Sequence, residues 1–138
     1  AEQEAQDALY QFGIHIGLAF QIQDDILDVW GDPATFGKAI GGDISCNKKT
    51  FVTITALKMA DEESKKELHY WFGQTLEDNT EKIASVKAIY DRLGVYAKCE
   101  KSVKNQTDMA FTYLDSLPQN AATEQLRKLA NKLNTRKD

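Results

Sequence analysis

Apolar residues along this chain recur at spacings of three and four, and strict alternation is hard to find. That period belongs to helices rather than strands. The spacing predicts a long helix over residues 3–30, then a loop over residues 31–46 (GDPATFGKAIGGDISC) that holds four of the eight glycines. A second helix is predicted over Asn47 to Ala60, with Asn47 as its N-cap. Asp61 offers the cap of a short helix reaching Phe72. From Asn79 onward, Ile83, Val86, Ile89, Tyr90 and Leu93 mark one helical face that ends near Gly94. Tyr96 to Leu114 continues as helix, with Gly94 either a break or a residue the helix runs through. Beyond Ser116, Leu117 and Pro118, a last helix carries Leu126, Leu129, Ala130 and Leu133. Both prolines, Pro33 and Pro118, fall where the helical pattern stops, as a residue without an N–H should. No repeat, low-complexity tract or interdomain linker interrupts this pattern. The expected architecture is all-α, a helical bundle forming a single domain over residues 1–138.

The first helix departs from the usual surface pattern. At about 100° per residue, Gly17, Gln21, Asp24, Asp25 and Asp28 fall in one narrow strip. Leu18, Ala19, Phe20, Ile22, Ile26, Leu27, Val29 and Trp30 cover the other arcs. A helix apolar on most sides belongs inside a bundle, so the strip is expected to face an internal cavity. Three carboxylates on adjacent turns repel one another, and the negative end of the helix dipole lies close by. Desolvation adds to the cost, so a cation is expected to neutralise them. Oxygen donors without a nearby His or Cys select a hard ion, Mg²⁺ or else Mn²⁺. Mg²⁺ keeps waters and shares its shell with phosphates, which points to a diphosphate or triphosphate ligand. An EF-hand loop is excluded, because no register of Asp24 to Asp32 supplies its ligand spacing.

Composition narrows the class. The chain has 138 residues, 28% of them charged, and a net charge of −4. That length can bury a core, and no apolar run approaches the roughly 20 residues of a membrane-spanning helix. An acidic balance argues against general nucleic-acid binding, which draws on a surplus of basic residues. The two cysteines, Cys46 and Cys99, form no CxxC pair, so neither a zinc site nor a disulfide framework is expected, and the cytoplasm is the simplest compartment.

The glycine-rich loop gives the acidic strip a counterpart. Lys38 follows Gly37, and Lys48 and Lys49 open the next predicted helix. The loop is no Walker A motif: the glycine spacing is one residue too long, Ala39 replaces the required Ser or Thr, and no strand precedes it. It can still bring an ammonium and backbone N–H groups to a phosphate. Acids for a metal beside lysines for phosphate oxygens make a coherent metal–diphosphate site.

The run Gly17-Leu18-Ala19-Phe20-Gln21-Ile22-Gln23-Asp24-Asp25-Ile26-Leu27-Asp28 resembles the second aspartate-rich motif of the trans-isoprenyl diphosphate synthases. The likeness continues through Gly31-Asp32, Gly37-Lys38, Gly41-Gly42-Asp43 and Asn47-Lys48-Lys49-Thr50, and covers about residues 13–57. Residues 83–137 match more loosely. The resemblance implies the C-terminal part of the isoprenoid-synthase fold, usually in a homodimer. It also implies Mg²⁺-dependent condensation of isopentenyl diphosphate with an allylic diphosphate. On it, Asp24 is a direct Mg²⁺ ligand, and Asp25 and Asp28 hold ligated waters or complete the shell. Lys38 clasps the allylic diphosphate, Gln21 and Phe20 line the reaction cavity, and Lys48 is a further diphosphate contact. The family's first aspartate-rich motif and its Arg-rich segment are not in this sequence. The chain is therefore expected to correspond to under half of a synthase and to be inactive alone.

Other residues read as structural. His15 is expected to be a satisfied core or interface histidine, and His69, Tyr70, Trp71 and Phe72 to pack. Cys99 lacks the surroundings of an activated thiolate, and the charges from Lys98 to Lys104 form a solvated face. The alternative reading is a non-catalytic regulatory subunit of a prenyl diphosphate synthase. Against it stands the retention of Asp24, Asp25, Asp28 and Lys38. A class I terpene cyclase would carry Asn, Ser and Glu in place of the downstream aspartates, and a plain helical interaction module leaves the acidic strip unexplained.

Overall fold

A computed structural model describes residues 2–31 and 41–134. Among them it contains seven helices and no strand: α1 (Glu2–Trp30), α2 (Gly42–Ser45), α3 (Phe51–Met59), α4 (Glu62–Phe72), α5 (Thr80–Leu93), α6 (Val95–Asp115) and α7 (Ala121–Asn134). The all-α expectation holds. Lys38 and most of the predicted loop lie outside the described residues.

The chain divides into two compact units, one formed by Ala1–Gln23 with Glu100–Arg136 and the other chiefly by Asp24–Cys99. In the first, Phe12 of α1, Ala110 and Leu114 of α6 and Ala130 of α7 form a buried core, flanked by Ile16, Phe111, Tyr113, Leu117 and Leu126. His15 is satisfied as expected: its Nδ1 shares a 2.6 Å hydrogen bond with Gln106 Oε1, and its ring stacks on Tyr113. The start of α7 is closed reciprocally. Asn120 Oδ1 accepts from the backbone of Ala122 and Thr123, while Thr123 Oγ1 accepts from the Asn120 N–H. Arg127 then reaches back to Asp115 at 2.7 Å and lies over the Phe111 ring.

The apolar arcs of α1 are not covered throughout. Leu9, Tyr10, Ile14 and Leu18 are exposed, and a Cβ added at Gly13 or Gly17 would meet nothing within 4 Å. No described element packs on that side, so full burial of α1 does not extend to these turns.

In the second unit, α5 packs against α2, α3 and α4. Ile26, Leu27 and Val29 of α1 are buried, as are Ile44, Val52, Ala56, Leu68, Val86, Ile89, Tyr90, Val95 and Cys99. Polar groups inside this core are paired: Tyr90 Oη and Thr53 Oγ1 lie 3.2 Å apart, and the buried Lys82 donates to the carbonyl of Gln74. Trp30 closes α1 by donating from Nε1 to Asp91 at 2.7 Å, with its ring edge-on to Tyr96.

Two boundaries differ from the sequence reading, one that it left open is settled, and one packing expectation holds only in part. Helix α3 starts at Phe51, not Asn47: Thr50 is its N-cap and accepts from Thr53 N, while Asn47 adopts φ 56° and donates from its side chain to Phe72 O. Gly94 breaks the chain between α5 and α6 in the left-handed region, at φ 77°. The predicted loop contains the short helix α2. His69 and Tyr70 lie exposed, because the α4 face that packs carries Ser64 and Leu68. The cap at Asp61 is as predicted, with its carboxylate accepting from Ser64 N at 2.7 Å.

Candidate functional site

The acidic strip occupies the last turns of α1, at the negative end of the helix dipole. The structure treats its three aspartates differently. Asp24 is half-buried. Asp25 and Asp28 are almost fully enclosed, at 7% and 3% exposure. Asp25 Oδ2 accepts from the backbone N–H of Phe51, the first residue of α3, at 3.1 Å. Asp28 Oδ2 accepts from the N–H of Asp43, in the first turn of α2, at 2.9 Å. The Asp28 carbonyl also takes the Gly41 N–H at 2.6 Å. Part of the cost of clustering these carboxylates is thus offset within the chain: each meets a donor that its helix would otherwise leave unsatisfied. Both lie against the backbone of the helices that follow.

Between those two anchors runs the segment that bears the lysines. The N–H of Lys48 donates to Asp43 O at 2.9 Å, and that of Thr50 to Lys48 O at 3.1 Å. Lys48 therefore stands on backbone tied at one end to Asp28, through Asp43, and at the other to Asp25, through Phe51. Its ammonium is 3.9 Å from Asp43 Oδ1 and 59% exposed, a long and solvated ion pair of small energetic weight. Lys49 is exposed as well. Gln21 lies on the exposed side of α1, one turn before Asp24 and Asp25. Phe20 is half-buried in the first unit, around a small pocket lined also by Ile16, Ala19, Gln23 and Leu133.

Among the described residues no three His, Cys, Asp or Glu side chains converge into a metal cage. The donor set fits a different kind of cation site. A half-buried carboxylate, with two others committed to backbone, suits an ion that keeps most of its water and takes further oxygens from a phosphate. Mg²⁺ behaves in that way, whereas Ca²⁺ draws on six to eight oxygens.

The roles of Asp43 and of the Phe51 and Asp43 backbone amides were not legible in the sequence. The Thr50-Phe51-Val52-Thr53 run is a usable signal for the true start of α3, since Thr is a better N-cap than the Lys pair before it.

Behind Asp25, Cys99 is buried, and burial pushes its thiol up to about 11 from an ordinary 9.0; the Asp25 carboxylate adds to this and a Thr55 hydrogen bond opposes it. The inert reading of Cys99 follows from that environment. A thiol reagent near neutral pH is expected to titrate one cysteine in the native chain, the exposed Cys46, and both after denaturation. Two reactive thiols without denaturant would contradict the burial. On the linkage sign, the unfolded chain loses the Cys99 proton first, so this contribution to stability is intact below pH 9.0 and declines as pH rises toward about 11.

The sequence matches the polyprenyl synthetase family over residues 1–93. A short chain isoprenyl diphosphate synthase from Methanothermobacter thermautotrophicus is 34% identical over 124 residues, which is 90% of this chain and 37% of that protein. A solved geranylgeranyl pyrophosphate synthetase from Pyrococcus horikoshii Ot3 is similar with a TM-score of 0.88 and 30% identity, over 97% of this chain and 40% of that one. A geranylgeranyl pyrophosphate synthase from Corynebacterium glutamicum, solved with isoprenyl diphosphate and magnesium, gives a TM-score of 0.82 and 32% identity, over 94% of this chain and 37% of that one. The chain thus spans well under half the length of these relatives. None of its described helices is long and apolar enough to cross a membrane.

Proposed function

This chain belongs to the polyprenyl synthetase family, and on that premise we propose that it supplies the diphosphate-binding half of a trans-prenyltransferase. The whole enzyme would condense isopentenyl diphosphate with an allylic diphosphate. The observation that carries the reading is the strip at the end of α1: a half-buried Asp24 beside two enclosed aspartates that hold the Lys48 segment to the same helix. Asp24 offers an oxygen to Mg²⁺ or Mn²⁺. Lys48, and Lys38 from the loop, bring ammonium groups to the diphosphate oxygens. A divalent ion bound there would withdraw charge from the diphosphate as it leaves the allylic carbon. The lysines add fixed positive charge at the oxygens where negative charge grows. Gln21 and Phe20 belong to the wall beside the prenyl carbons, where exclusion of water protects an allylic cation.

Calorimetric titration of the 138-residue chain with inorganic pyrophosphate tests this reading. Binding is expected only with Mg²⁺ present, and Asp24→Ala should weaken it by about tenfold or more, the scale of losing one charge-assisted contact. Binding that ignores Mg²⁺, or survives Asp24→Ala unchanged, would overturn the assignment.

A further inference from the structure

The aspartates of the strip do not share one task. Asp25 and Asp28 are each over nine-tenths buried, and each spends an oxygen on a backbone N–H of a later helix. Those two N–H groups bracket the segment from Asp43 to Phe51, whose backbone carries Lys48 through its bonds with Asp43 and Thr50. The bonds cross long stretches of sequence, 15 residues for Asp28 and 26 for Asp25. They are tertiary ties rather than local turns. The first anchor is a direct contact: a Cβ on Gly42 would stand at ordinary van der Waals distance, 3.6 Å, from Asp28 Oδ1, so the backbone at the start of α2 lies beside the carboxylate.

We infer that Asp25 and Asp28 are positioning residues, which fix the Lys48-bearing segment on α1 through the N-termini of α2 and α3, while Asp24 alone meets the cation. This rests on the diphosphate-site reading above and divides its labour. An N-terminal N–H needs an acceptor oxygen but no full negative charge, and Asn is as good an N-cap as Asp. A metal ligand needs the charge. The two roles therefore respond oppositely to the same conservative change.

The experiment pairs Asn and Ala variants at each position and reads two observables on the 138-residue chain. Native-state amide exchange follows the Phe51 and Asp43 N–H groups without any ligand, and calorimetry follows Mg²⁺-dependent pyrophosphate binding. Asp25→Ala is expected to speed exchange at Phe51, and Asp28→Ala at Asp43, by about fivefold or more, while Asp25→Asn and Asp28→Asn restore most of the protection. Binding should follow the same order, with each Asn variant recovering most of what its Ala counterpart loses. At Asp24, by contrast, Asn should lose as much as Ala. If Asp25→Asn and Asp28→Asn keep amide protection yet bind as poorly as Asp24→Asn, their charge serves the cation and the inference falls. It falls equally if the Ala variants leave exchange at Phe51 and Asp43 unchanged. Should an Ala variant fail to fold, the Asn variant still decides, because only a ligand role predicts its loss of binding. Failure of the parent chain to bind pyrophosphate would strike the functional reading instead, and the exchange results would still decide whether the anchors exist.

Discussion

Gly41→Ala is expected to destabilise the second unit by about 2–4 kcal/mol, the sum of a left-handed backbone penalty and an overpacking penalty. Gly41 sits at φ 89° as the N-cap of α2, where an L side chain is strained whatever space surrounds it. Space is also lacking, since an added Cβ would fall 2.6 Å from Ile83 Cγ2 on α5. That methyl branches directly from the Ile83 Cβ, so it can retreat only by moving the backbone of α5 or leaving its rotamer. Urea unfolding followed by far-UV circular dichroism would measure the shift. Repeating the substitution in an Ile83→Ala background separates the two causes: the steric part should disappear and the backbone part remain. An unchanged midpoint for Gly41→Ala would mean that α2 does not enter the fold as described. Because the Gly41 N–H donates to the Asp28 carbonyl, pyrophosphate binding should weaken along with stability.

Leu114→Ala should cost the first unit about 2–5 kcal/mol, a large share of the roughly 5–15 kcal/mol that holds a domain together. Leu114 is fully buried in the cluster with Phe12, Ala110 and Ala130. Two of those neighbours are alanines, whose single methyls cannot move to fill the space a leucine leaves, so the cavity stays open. Leu114→Met, which nearly conserves volume, should cost less than about 1.5 kcal/mol. Thermal unfolding by circular dichroism reports the helices of both units. Fluorescence reports the second, where Trp30 and Trp71 both lie. Equal midpoints for Leu114→Ala and Leu114→Met would show that packing at this position is loose.

The helical skeleton was legible in the sequence because its signals are local. The spacing of Ile83, Val86, Ile89 and Leu93 needs no knowledge of the partner helix, and Asp61 caps α4 using only the chain three residues on. Asn47 misled for the same reason. It is a good N-cap by type, but its side chain is taken by Phe72 O at 2.9 Å, a partner 25 residues away that no local rule reveals. At the site, the identity of the acidic strip was legible and its wiring was not. The cost of packing three carboxylates together is evident from spacing alone. Its partial relief comes from N–H groups of two helices that follow a loop, and backbone donors leave no mark in a sequence. The exposed Tyr10, Ile14 and Leu18 show a third limit: an apolar arc declares that a face suits burial, without saying what covers it.

The two anchoring bonds bear on how the motif would drift. On this division of labour, a copy of this chain that no longer needed to bind a cation would be free to exchange Asp24. Asp25 and Asp28 would not be released with it. Losing either acceptor would strand a helix-terminal N–H, so selection for a folded product would keep an oxygen at both places. Two of the three positions, kept as Asp or Asn, would then outlive the chemistry they advertise. In a degenerate relative, oxygen-bearing side chains at the Asp25 and Asp28 positions would record foldability, and Asp24 by itself would record whether the site was still in use.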